Sequence, residues 1–194
     1  MTGDDRVLKL VIKSAVLSAK VDENIESLLH AASKNGHHAV AKFLVQNGAH
    51  VNHEDKNGET LLHIASKSGH DTVVKFLVRN GANVNRKDKN GYTPLYVAIL
   101  MGQSEIAEYL IKNGGDGNAR NDDEYTPLYV AVLLGHREIS EFLIENGGDV
   151  NAGSDDEETL LHTASKNGHH AVVEFLILNG ANVNAVDKNG VRFC

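Results

Sequence analysis

The stretch Tyr92-Thr93-Pro94-Leu95-Tyr96-Val97-Ala98, closed by Gly102, decides the fold of this chain. Threonine followed by proline starts a helix: the hydroxyl accepts from free N–H groups, and proline at the first helical position gives up no hydrogen bond. Leu95, Ala98 and Ile99 then stand at i, i+3 and i+4, a single apolar stripe. Gly102 supplies the left-handed residue on which helices end most easily. A second helix is predicted next, with Ile106, Ala107, Tyr109, Leu110 and Ile111 as its apolar face and Gly114 as its stop. The remaining Asn118-Ala119-Arg120-Asn121-Asp122-Asp123-Glu124 is polar, turn-forming and too short to link domains. The unit reads helix, turn, helix, extended turn.

Outward from this stretch the same unit recurs with a step of 33 residues, seen in glycines at 36, 69, 102, 135 and 168. A second glycine series stands at 48, 81, 114, 147 and 180, with leucines at 29, 62, 95, 128 and 161 and alanines at 32, 65, 98, 131 and 164. Asparagines at 52, 85, 118, 151 and 184 keep the same step. A period of this length is the mark of a solenoid, in which each repeat packs only on its neighbours. The fold expected is therefore all-α, a single stacked domain over 1–194 with hairpin-like turns between helix pairs. Five full repeats span 22–54, 55–87, 88–120, 121–153 and 154–186. Residues 1–21 read as an N-terminal half-repeat cap, since Val7, Leu8, Leu10, Val11 and Ile12 fall where Val40, Ala41, Phe43, Leu44 and Val45 fall in the first full copy. Residues 187–194 read as the start of a sixth repeat.

Thr93-Pro94-Leu95-Tyr96-Val97-Ala98 and Thr126-Pro127-Leu128-Tyr129-Val130-Ala131 resemble the T-P-L-H-x-A signature of ankyrin repeats, at that family's period. The resemblance covers residues 22 to 191. It departs from the family pattern where leucine replaces the proline in the first, second and fifth copies and where tyrosine at 96 and 129 replaces the histidine seen at 30, 63 and 162. Gly117 stands where the other copies have valine, so a hole and the loosest junction are expected at the third hairpin. The resemblance implies that the signature histidines are buried hydrogen-bonding residues, each tying a repeat to its neighbour's turn. It also implies a non-catalytic protein-binding module, an adaptor, inhibitor or effector, that holds its partner in a concave groove.

Composition agrees with that class. The net charge of −7 offers no basic stripe for nucleic acid. The one cysteine, Cys194, excludes an intrachain disulfide. The N-terminal apolar run is interrupted by Lys9 and Lys13 and preceded by acidic residues, so neither a signal peptide nor a membrane span is expected. An intracellular, cytoplasmic location follows as the expectation. Eleven histidines invite a search for metal ligands, but equivalent side chains lie about one repeat apart, roughly 10 Å, too far to share a zinc ion. No nucleophile with a partnered base and no phosphate loop stands out. No enzyme activity, cofactor or metal is expected.

The copies differ in an ordered way. Residues 28–52 and 160–184 are identical at all but six of 25 positions. The third and fourth copies instead carry Tyr92 and Tyr125 where the others have Glu26, Glu59 and Glu158. They carry Ile99-Leu100-Met101 and Val132-Leu133-Leu134 where the others have Ser33-Lys34-Asn35, Ser66-Lys67-Ser68 and Ser165-Lys166-Asn167. By the resemblance, Tyr92, Leu100, Met101, Tyr125, Leu133 and Leu134 face the groove, the alternative being that they thicken the core between helices; Ile99 and Val132, on the buried stripe, join the core. The turns beside this patch carry Asp122, Asp123, Asp155 and Asp156, giving an acidic rim. The partner expected is a protein with an apolar anchor flanked by basic residues. The alternative is a structural spacer, or a fragment of a longer array, self-associating weakly through an uncapped C-terminal end at Ile177 and Leu178.

Overall fold

The structure, a computed structural model, describes residues 22–153, 157–190 and 192. The expected cap at 1–21 lies outside the described residues. Among those described, ten helices follow in pairs: α1 (Asp22–Lys34), α2 (His38–Gln46), α3 (Leu61–Lys67), α4 (Asp71–Arg79), α5 (Pro94–Leu100), α6 (Ser104–Lys112), α7 (Pro127–Leu133), α8 (Arg137–Glu145), α9 (Leu160–Lys166) and α10 (His170–Leu178). The only β structure among them is isolated antiparallel bridges, such as Glu54 with Thr60, which pin the hairpin-like turns. The fold is an all-α repeat stack.

Local chemistry accounts for each boundary. Thr60, Thr93, Thr126 and Thr159 sit in extended backbone and accept from the N–H three residues on, which caps α3, α5, α7 and α9. Pro94 and Pro127 occupy the first turns of α5 and α7. Each of these short helices stops at a glycine in the left-handed region, with φ of 73° at Gly69 and 72° at Gly135. The second helices end differently: the side-chain amides of Asn47, Asn80, Asn113, Asn146 and Asn179 donate to the carbonyl four residues back at 2.7–2.9 Å. That satisfies one of the orphan carbonyls of the last turn. α1 departs from the pattern. It runs straight through Ser27, the position equivalent to the threonine caps.

The core is one continuous seam. Leu29, Leu62, Leu95, Leu128 and Leu161 are buried along it, with Ala65, Ala98, Ala131 and Ala164 giving the helices close approach. Ile99 and Val132 are fully buried, as the apolar stripe requires. They fill the place that Ser33 and Ser66 fill in other copies, where the buried hydroxyls have no hydrogen-bond partner.

The junctions between repeats are not equal. Asn52 donates to the Gly81 carbonyl at 3.0 Å and accepts from Asn83 N–H at 2.8 Å, clasping the first repeat to the second. Asn85 and Asn151 clasp the second to the third and the fourth to the fifth in the same way. A histidine donates across three of these junctions: His70 to Lys34 O at 2.9 Å, His63 to Tyr92 O at 2.8 Å and His169 to Leu133 O at 2.9 Å. Among the described residues, neither device spans the third and fourth repeats: Asn118 makes no such clasp, and tyrosine at 96 has no ring nitrogen to donate. Turn contact remains, through Asp122 N–H to Asn90 O at 3.2 Å. The expected hole at Gly117 is not the cause, since Leu143 comes within 3.4 Å of where a side chain there would begin. The shortage is of hydrogen bonds.

Amides flanking the third–fourth junction are therefore expected to exchange faster in hydrogen-exchange experiments than those flanking the second–third. Equal protection at both junctions would contradict this ranking.

Candidate functional site

The site is built from one register position on the first helix of each repeat and one on the turn before it. In the second repeat these are Lys67 and Glu59, an ion pair at 3.5 Å; in the fifth, Lys166 and Glu158 pair at 3.8 Å. In the third and fourth repeats the same two places hold Leu100 with Tyr92 and Leu133 with Tyr125. A surface ion pair is thus exchanged for an apolar pair in two adjacent repeats.

The tyrosines are ordered by stacking. Tyr92 lies on Tyr96 with ring centroids 4.8 Å apart and planes at 12°. Tyr125 lies on Tyr129 at 4.6 Å and 8°. The four rings form one cluster: the Tyr96 hydroxyl is held well above the usual tyrosine pKa, first by burial and then by Tyr92, Asp123, Tyr125 and Tyr129. Burial likewise raises Tyr129, with Tyr125 adding to it. Both phenols stay neutral donors at physiological pH.

The six expected groove residues divide into two groups. Met101, Tyr125, Leu133 and Leu134 are 47%, 40%, 37% and 41% exposed, large for apolar side chains. Tyr92 and Leu100 are half-buried and pack against the core. The open surface is therefore centred on the fourth repeat and the end of α5. Asp122 and Asp123 are exposed on the turn that leads into Tyr125. Asp155 and Asp156 lie outside the described residues.

One feature of these turns is not evident from the acidic residues as such. The turn tips at Gly58, Gly91 and Gly190 adopt φ of 77°, 76° and 74°, in the left-handed region. The equivalent tips of the fourth and fifth repeats are Glu124 and Glu157, at φ 65° and 61°. A side chain in that conformation costs about 1–2 kcal/mol. Replacing Glu124 or Glu157 by glycine is accordingly expected to raise stability by about 0.5–1 kcal/mol, after the greater freedom of glycine in the unfolded chain is subtracted. A chemical melt showing no gain in either variant would count against backbone strain at these tips. The signal lies in the register, where Asn121-Asp122-Asp123-Glu124 stands in the place of Asp88-Lys89-Asn90-Gly91.

Several histidines have structural partners. His63 is fully buried, with Nδ1 accepting from the Thr60 N–H at 3.1 Å and Nε2 donating to Tyr92 O. His30 instead meets His53, ring nitrogens 3.1 Å apart. Among the described residues no three His, Cys, Asp or Glu side chains come together as a metal site. No helix among them is long and apolar enough to cross a membrane.

A family model for ankyrin repeats matches the chain over residues 1–88, 29–121 and 113–187. Comparison with curated proteins finds no match.

Proposed function

The chain belongs to the ankyrin-repeat family, whose members generally mediate protein–protein interaction, and on that premise we propose that it binds a partner protein through the concave groove of the third and fourth repeats. The role is non-catalytic: adaptor, inhibitor or effector. The observation that carries this reading is the exchange of the Glu59–Lys67 and Glu158–Lys166 ion pairs for Tyr92–Leu100 and Tyr125–Leu133. An exposed ion pair contributes little to stability, so exchanging one is nearly free for the fold. An aromatic centre with a polar rim is the anatomy of an interface. Met101 and Leu134 extend the centre, and Lys67, Lys166, Asp122 and Asp123 border it.

The test restores the ion pair. Tyr125→Glu with Leu133→Lys copies the fifth repeat into the fourth and should leave the helical melt nearly unchanged. Affinity capture with this variant should retain at least about tenfold less of the partner than the original chain retains, the loss of one interface anchor. Equal capture of the same protein by both chains would move the site off this face.

A second reading rests on a separate observation. Leu178 on α10 is 78% exposed, and Ile177, Val183 and Val186 are exposed with it. This surface suits weak self-association by end-to-end stacking. Ile177→Gln with Leu178→Gln should lower the apparent mass in sedimentation at high concentration. An original chain that is monomeric throughout that range removes the second reading.

A further inference from the structure

We propose that the groove's partner is a protein segment that lays an arginine or lysine cation against the exposed part of the Tyr125 ring, with Asp122 and Asp123 as its counter-charges. An adjacent apolar side chain of the same segment rests on Leu133 and Leu134. The inference rests on the groove reading above and names the class of partner.

Three independent features converge on it. The first is charge reversal in register. Where the other described turns read Asp55-Lys56-Asn57-Gly58 and Asp88-Lys89-Asn90-Gly91, the turn before Tyr125 reads Asn121-Asp122-Asp123-Glu124. A lysine has become an aspartate, an asparagine an aspartate and a glycine a glutamate, on the one turn that enters the exposed aromatic surface. The second is that the two aspartates are not used in ion pairs, although Glu124 is paired with Arg120 at 3.7 Å. Among the described residues Asp122 and Asp123 enter no ion pair, whereas Glu54 is held by Arg86 at 2.6 Å and Glu141 by Arg137 at 2.6 Å. Keeping the acidic sequence also places Glu124 and Glu157 in backbone conformations that glycine adopts freely.

The third feature is the ring itself. Tyr125 is stacked on Tyr129 and remains 40% exposed, so part of the ring is left open to solvent. A cation over a tyrosine face is attracted by the ring quadrupole, the more so when carboxylates stand beside it. The scaffold already seats cations this way within itself: Lys75 lies over the Tyr109 ring at 5.7 Å, and Lys112 over the Phe142 ring at 5.1 Å, each one repeat further on. Tyr125 is likewise an aromatic ring on the surface, and among the described residues no cation lies over it.

The probe is a short fluorescent peptide of alternating arginine and leucine, titrated into the full chain, with a glutamate–leucine peptide as its counterpart. The arginine peptide should bind, more tightly at low salt, and the glutamate peptide should not. Asp122→Asn with Asp123→Asn should weaken binding about tenfold and flatten the salt dependence. Glu124→Gly with Glu157→Gly should weaken it too while raising the melting temperature, so loss of binding cannot be ascribed to loss of fold. Glu105→Gln with Glu138→Gln, on the opposite helices, should change nothing. If the Asp122/Asp123 variant binds as tightly as the original while Tyr125→Glu/Leu133→Lys does not, the cationic class is wrong and the groove stands. If the reverse holds, the peptide is held by the turns alone and both the aromatic seat and the groove reading fail. Failure of the arginine peptide to bind at all, or binding of both peptides alike, overturns the proposal, as does self-association of the chain that the peptide cannot displace.

Discussion

A Gly135→Val chain is expected to lose about 3 kcal/mol of stability, against about 1–2 kcal/mol for Gly69→Val. Both glycines end a first helix at nearly the same φ, 72° and 73°, so the strain of forcing a β-branched side chain into the left-handed region is common to the two. What differs is the neighbour. A side chain at Gly69 would meet the end of Gln103, a flexible group 2.9–3.1 Å away that can swing aside. A side chain at Gly135 would begin 2.6 Å from the His169 ring, which is occupied in donating to Leu133 O across the fourth–fifth junction. Displacing that ring adds the loss of an inter-repeat hydrogen bond to the strain. Gly168, with nothing within 4 Å, measures the strain alone. Urea melts of the three variants followed by helical circular dichroism give the ranking. Equal losses at 69 and 135 would show that the histidine adds nothing to the junction.

His63→Ala is expected to cost about 3–5 kcal/mol, since it empties a fully buried ring and leaves the Thr60 N–H and the Tyr92 carbonyl without partners. The same geometry sets a pH dependence. Tyr92 O can only accept, so Nε2 carries the hydrogen and Nδ1 is the acceptor. Protonation would aim a second N–H at the Thr60 N–H. Burial holds the His63 pKa below the ordinary 6.5, and burial does the same for His30 and His136. The unfolded chain therefore takes up protons more readily than the folded one. Stability is complete above the unfolded pKa and is lost as pH falls below about 6.5. The melting temperature should drop between pH 7.5 and pH 5, and the drop should shrink in His63→Ala, the remainder coming from His30 and His136. A pH-independent melting temperature across that range would mean that these histidines remain freely protonatable in the fold.

Both predictions begin from residues whose role was legible in the chain, and the boundary of that legibility has a physical basis. Helix starts at Thr93-Pro94 and Thr126-Pro127, stops at Gly102 and Gly135, and the buried stripe of Leu95, Ala98 and Ile99 depend on groups within three or four residues of one another. Sequence spacing alone determines such contacts, and the 33-residue register then copies them along the stack. Contacts between repeats are of another kind. Asn118 stands in register with Asn52, Asn85 and Asn151, yet it does not clasp the next turn, because a clasp needs a carbonyl and an N–H brought to it by another repeat. Tyr92 and Tyr125 occupy the same register position with the same partner types, yet one is half-buried and the other open. The following copy differs in kind: Tyr125 and Tyr129 stand near enough to Tyr96 to raise its pKa, while Tyr129 has a hydrogen bond with Thr163 and the charge of Glu158 nearby. The sequence by itself determined the repeat, its helices and its core. Which apolar side chains remain in water was decided only by stacking, because exposure belongs to the neighbour's side chains as much as to a residue's own.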